Sequence, residues 1–117
     1  HARLQELYSA ADVLVFPALR DSGGSALLEA MARYLPVVCL DWGGPGEMLD
    51  EASGMKIAVR SPEQTVAAFG SALRQLQQDP ALRTRLAQAA RKRAQALFGW
   101  SAKRDVLETT YRRLVQS

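Results

Sequence analysis

A chain of 117 residues, 48% hydrophobic and 23% charged, has the size and composition of one soluble globular domain, which excludes a disordered chain and a multidomain one. Its longest apolar stretches, such as Val13 to Phe16 and Pro36 to Leu40, fall far short of the roughly 18 residues that a membrane-spanning helix needs. The net charge of +3 is uneven: residues 1–59 hold four Lys/Arg against eight Asp/Glu, and residues 60–117 hold eleven against four. The basic half is densest at Arg83, Arg85, Arg91, Lys92 and Arg93. Such a cluster suits anionic lipid or nucleic acid, although the plainer reading is a solvated helix face.

In chain order, Leu4, Leu7, Tyr8 and Ala11 recur at helical spacing, without the basic-then-apolar order of a signal peptide. Asp12 then leads into Val13-Leu14-Val15-Phe16, a buried strand that ends at Pro17. After the loop of Arg20, Asp21, Ser22, Gly23 and Gly24, a run of good helix formers from Ser25 to Arg33 predicts a helix with Ser25 as its cap. Pro36 stops any continuation, and Val37 to Leu40 is a second buried strand. Its single cysteine, Cys39, reads as a small buried hydrophobe in a reducing compartment, so the cytoplasm is expected. Asp41 to Gly46 is dense in turn residues and predicts a loop, Glu47 to Glu51 one helical turn, and Met55 to Val59 a third, more exposed strand.

Ser61-Pro62-Glu63-Gln64 is a strong helix start: Ser61 can cap, Pro62 needs no amide partner, and Gln64 can close a capping box. The helix should run to about Gln78. Asp79-Pro80 repeats the signal and opens a helix carrying Leu82, Leu86, Ala89, Ala90 and Leu97 on one face, broken at Gly99. Ser101 is expected to cap a last helix with the apolar stripe Val106, Leu107, Tyr111 and Leu114. The alternation calls for a parallel sheet of about three strands with flanking helices and a helical C-terminal region. Parallel sheets rarely stand on three strands, so the chain reads as the second half of a Rossmann-like domain whose first strands lie upstream.

The informative segment runs from Pro17 to Glu29, where a strand ends, a Gly-Gly turn follows and a helix opens. A helix N-terminus carries about half a positive charge and unpaired amides, here those of Ser25, Ala26 and Leu27, so it attracts phosphate. Gly23 and Gly24 remove side chains that would hold a diphosphate away from the backbone. Helical side chains lean toward the N-terminus, so Glu29 can reach back and accept hydrogen bonds from the vicinal hydroxyls of a ribose. Asp21, across the turn, would face the other end of the ligand. On spacing alone, an ordinary strand-to-helix loop explains these residues equally well.

The run Leu7-Tyr8-Ser9-Ala10-Ala11-Asp12-Val13-Leu14-Val15-Phe16-Pro17, then Asp21-Ser22-Gly23-Gly24 and Leu28-Glu29-Ala30-Met31-Ala32, resembles the C-terminal domain of the GT4-type retaining glycosyltransferases of GT-B fold. Pro36-Val37-Val38, Gly43-Gly44-Pro45-Gly46-Glu47, Gly54, Phe98-Gly99-Trp100-Ser101 and Tyr111 continue the likeness along essentially the whole chain. The family usually has two glutamates separated by seven residues; here Asp21 replaces the first and Glu29 holds the second.

The resemblance implies a hexosyltransferase that moves a sugar from a nucleotide-diphosphate donor to an acceptor with retention of configuration. Residues 1–117 would be part of its donor-binding domain, inactive alone, with the acceptor domain and the diphosphate-neutralising Arg and Lys upstream. Carried over, Glu29 binds the donor ribose, the amides of Gly24 to Leu27 hold the diphosphate, and Asp21 is the catalytic-side contact with the transferred sugar. Asp21 falls one methylene short of the usual glutamate. Gly43 and Gly44 would line the same crevice, unless they form a plain turn. The resemblance implies neither metal nor cofactor, and no nucleic acid. The acceptor class, whether glycan, lipid or small molecule, stays open. Two rivals remain: a GT-B-fold sugar-nucleotide epimerase, and a non-catalytic domain whose basic half meets an anionic membrane on its cytoplasmic face. The strand from Val13 to Phe16, lacking its upstream neighbour, is expected to self-associate through its edge or be covered by the first helix.

Overall fold

The computed structural model describes residues 1–21 and 24–116. In chain order it comprises α1 (Ala2–Ala10), β1 (Leu14–Phe16), α2 (Ser25–Ala32), β2 (Val37–Leu40), α3 (Gly43–Met48) and β3 (Met55–Ile57). Then follow α4 (Pro62–Gln78), α5 (Pro80–Arg93), a π-helical turn (Ala94–Phe98) and α6 (Trp100–Gln116). The strands form one parallel sheet in the order β1-β2-β3, with Val15 opposite Val38 and Cys39 opposite Lys56. This is the α/β arrangement expected from the sequence.

The central strand β2 organises the core because successive side chains of a strand point to opposite faces. Val37 and Cys39 join Tyr8, Leu27, Ala30, Met31, Met48 and Leu49 on one face. Val38 and Leu40 join Ile57, Phe69, Leu76, Leu82 and Leu86 on the other. All four β2 residues are buried, as both-sided burial requires of a parallel strand. Helix α5 serves both clusters: Leu82 and Leu86 belong to the second, and Ala90, with Ala94 just beyond, to the first. Among the described residues no strand pairs with the outer side of β1. Helix α1 docks onto α2 through Tyr8 and leaves Leu4 and Leu7 exposed.

Four local expectations are corrected. Gly24, not Ser25, is the N-cap of α2; its φ of +56° is a left-handed conformation that glycine adopts without penalty. The stretch expected to be a loop from Asp41 to Gly46 is already helical from Gly43, and α3 ends at Met48. A Cβ at Gly46 would stand 3.0 Å from Asp41, so a glycine there lets α3 pack tightly onto the end of β2. Leu97 leaves the apolar face: the π turn inserts an extra residue, so Phe98 packs against the core while Leu97 is exposed. Helix α6 begins at Trp100, which puts Ser101 inside its first turn, and none of its described residues is buried.

Three arginines of the basic cluster are consumed by the fold. Arg83 donates to Leu76 O and Gln77 O at the end of α4, and Arg91 to Ala32 O at the end of α2. Arg93 donates to Met48 O at 2.7 Å and Glu47 O at 3.3 Å, at the end of α3. Each guanidinium thus satisfies carbonyls that a helix C-terminus leaves without partners, where positive charge also meets the negative end of the dipole.

Candidate functional site

The β1–α2 and β2–α3 turns lie side by side at the carboxyl ends of their strands, where ligands bind in open α/β sheets. A Cβ on Gly43 would meet Asp21 O at 3.8 Å, and one on Gly24 would collide with Met48 Sδ at the end of α3. Asp21, Gly24 and the first turn of α2 therefore lie next to the turn that holds Gly43 and Gly44. Gly23 lies outside the described residues.

At the start of α2, Leu28 N–H donates to Gly24 O, so the amides of Ser25, Ala26 and Leu27 precede the first bond within α2. The N-cap residue, Gly24, brings no side chain to them. Ser25 is exposed, Ala26 half-buried and Leu27 fully buried. Gly24 N–H donates to Asp21 Oδ1 at 2.7 Å. The aspartate thus closes the turn that presents the helix terminus, a local bond that short acidic side chains favour.

Glu29 is half-buried, and its Oε2 is buried without a hydrogen-bond partner. Tyr8 stands beside it, donating from Oη to Ala26 O at 3.4 Å, with the Arg33 guanidinium 5.7 Å over its ring. Burial first, then the Glu29 charge, pushes the Tyr8 phenol above its ordinary range, and Arg33 opposes them. In the neighbouring turn, Lys56 Nζ bonds Gly46 O at 3.0 Å and pairs with Asp41 at 3.3 Å, tying α3 to β3. Cys39 lies beneath, its Sγ 3.9 Å from Pro45 O and its thiol pushed up to about 11, chiefly by burial.

Sequence reasoning missed Tyr8, Met48 and Arg93 as neighbours of the site. Tyr8 and Arg93 approach from distant helices. Met48 could have been suspected as the first long apolar side chain after Gly43-Gly44-Pro45-Gly46-Glu47. Among the described residues no group of three or more His, Cys, Asp or Glu is placed to hold a metal, and no helix is long and apolar enough to cross a membrane.

The glycosyl transferases group 1 family model matches residues 1–93. The chain belongs to this family. It is 38% identical over 120 aligned positions to a D-inositol 3-phosphate glycosyltransferase of Kineococcus radiotolerans, covering 98% of this chain and 27% of that protein. It is 36% identical over 101 positions to a glycogen synthase of Mycobacterium tuberculosis, covering 86% and 23%. Among solved structures, sucrose-phosphate synthase of Thermosynechococcus elongatus superposes with a TM-score of 0.78 at 33% identity, over 97% of this chain and 28% of that one. Anabaena HepE, solved in complex with UDP, superposes with a TM-score of 0.77 at 21% identity, over 96% and 30%, a likeness of fold. The chain thus spans about a quarter of the length of the curated relatives it matches.

Proposed function

We propose that this chain is part of the donor site of an enzyme that transfers a hexosyl group from a nucleotide-diphosphate sugar to an acceptor, with retention of configuration. The observation that carries the reading is Glu29: a buried carboxylate oxygen without a partner is costly, and a ribose hydroxyl is a donor of the kind it lacks. The amides of Ser25, Ala26 and Leu27 offer the diphosphate its donors, and Gly24 adds no side chain beside them. Asp21 faces the transferred sugar from the far side of the turn, with Gly43 and Gly44 as the second wall. The site residues require no metal or cofactor for these roles. Acceptor binding and the cations that neutralise the leaving diphosphate belong to sequence outside these 117 residues, so the chain alone is inactive and binds donor weakly. Two carboxylates near a phosphate oppose it, and an exposed helix terminus offsets only about 0.3–1 kcal/mol.

HepE was solved with UDP and, separately, with UDP-glucose, which makes UDP the natural probe. In a ¹⁵N NMR titration of this chain, UDP should shift the amides of Gly24 to Leu27, and Glu29→Ala should abolish most of that response while the remaining spectrum stays folded. Equal response in the variant would remove Glu29 from the site.

A further inference from the structure

We propose that Met48 is a positioning residue for the diphosphate-binding turn, held under Gly24 by a clasp between Arg93 and Asp50. The proposal rests on the donor-site reading above. Gly24 is buried, and its α-carbon lies so close to Met48 that an added Cβ would collide with Sδ and stand 3.1 Å from Cε. The thioether is thus the surface on which the left-handed turn rests. Sulfur is polarizable and the side chain unbranched, which suits it to fill an irregular gap beneath backbone.

Met48 is the last residue of α3, and its own backbone is fixed from α5. Arg93 Nε donates to Met48 O at 2.7 Å, Nη2 to Glu47 O at 3.3 Å, and Nη1 to Asp50 Oδ2 at 3.2 Å. Asp50 is fixed in turn by Ser53, whose Oγ donates to Oδ1 at 2.6 Å and accepts from Asp50 N at 2.9 Å. Ser53 is 1% exposed, so this anchor is part of the interior. A continuous chain of contacts therefore runs from Ser53 and Arg93 through the α3 terminus and the Met48 thioether to Gly24, whose carbonyl takes the first bond of α2. Amide donors bind an anion well only when they are already aimed, and a displacement of about 1 Å can cost about a hundredfold.

The test uses the whole 117-residue chain, with UDP and inorganic pyrophosphate as probes followed at the Gly24 to Leu27 amides. Met48→Ala should weaken both probes about tenfold, since the loss lies at the diphosphate, while the conservative Met48→Leu should stay within about twofold of the parent. Arg93→Gln should weaken both about threefold, with Met48 still present. Leu76→Val trims the opposite core cluster and should leave affinity unchanged; a loss matching that of Met48→Ala would reduce the effect to general destabilisation and overturn the proposal. Unchanged binding in Met48→Ala would overturn it too, with the donor site left standing. If the unaltered chain gives no shift at these amides with either probe, the donor site falls and the positioning role with it. A thermal double-mutant cycle checks the contact without any ligand. Gly24→Ala should be less damaging when combined with Met48→Ala than the two single losses predict, because the smaller side chain makes room for the new Cβ; strict additivity would refute the contact.

Discussion

A carboxylate at Glu29 costs the unliganded fold more than it returns, so replacing it with an apolar residue of similar length should raise stability while removing function. In Glu29→Met the buried Oε2 disappears, relieving a desolvation cost of about 1–3 kcal/mol. Against this stands the loss of its attraction to Arg33 one turn on, about 0.2–0.5 kcal/mol, while Glu29 lies past the first turn of α2, where the helix dipole has faded. Methionine is a good helix former, so propensity adds little to either side. The balance is a gain of about 1 kcal/mol, or about 4 °C in melting temperature for a chain of this size. Thermal unfolding followed by circular dichroism measures it, without and with UDP at ten times its dissociation constant. At that concentration the unaltered chain should gain about 1.4 kcal/mol from the ligand, and Glu29→Met none. A melting temperature that falls by several degrees in the variant would mean that Glu29 supports the fold, and the assignment to the ribose would lose its physical basis.

Other substitutions separate roles that the geometry combines. Asp21→Asn keeps an oxygen able to accept from Gly24 N–H, so the turn should survive while turnover of the parent enzyme falls at least about tenfold and affinity for free UDP changes little; equal losses in both would contradict a role toward the sugar. Arg91→Met removes the bond to Ala32 O and the guanidinium lying 5.4 Å over the Tyr34 ring but also relieves a buried, unpartnered Nε, so the net cost in urea unfolding should be about 1 kcal/mol; a midpoint that does not fall would show that the two contacts do not outweigh that relief. The Cys39 thiol, raised from 9.0 to about 11, favours its neutral form in the fold. Its contribution is therefore complete below pH 9 and is lost as pH rises through about 11, a decline that Cys39→Ala should flatten; alkylation at pH 8 should proceed only as fast as the chain opens.

How much of this was legible in the sequence depended on whether the cause was local. The capping box of Ser61 and Gln64 and the Asp79 cap formed as read, because they need only residues three apart. Strand β2 was legible because a run of four apolar residues after a proline has few other places to go. Helix α3 was not: Gly43, Gly44, Pro45 and Gly46 have poor helix propensity, about 1 kcal/mol for each glycine, and the fold overrides it by burying Pro45 and Gly46 against the end of β2. The π turn escaped for a similar reason, since Ala94 to Phe98 carries no signal that an extra residue is accommodated there. Of the candidate site, the glycine turns and their juxtaposition were visible as pattern. The orphaned oxygen of Glu29, the bond from Gly24 to Asp21 and the support from Met48 required coordinates.

The arginines of α5 bear on the rival reading of a domain built for an anionic surface. That reading drew on five clustered cations, and three of them point inward to carbonyls at the ends of α4, α2 and α3. Moving any of these guanidinium groups to a phosphate surface would strand helix carbonyls, and each such bond between a charged donor and a carbonyl contributes about 1.5–3 kcal/mol. Only Arg85 and Lys92 of the cluster are exposed outright, and on α6 Arg104 and Arg112 both engage Glu108. The same arginines also explain how a three-stranded sheet stays organised. Helix α5 contributes to the clusters on both faces of the sheet and ties off α2, α3 and α4, so three of the five residues in the basic cluster read from the sequence form a brace. A brace that ends on α2 and α3 holds the two glycine turns in register with each other, and the donor site proposed above depends on that register.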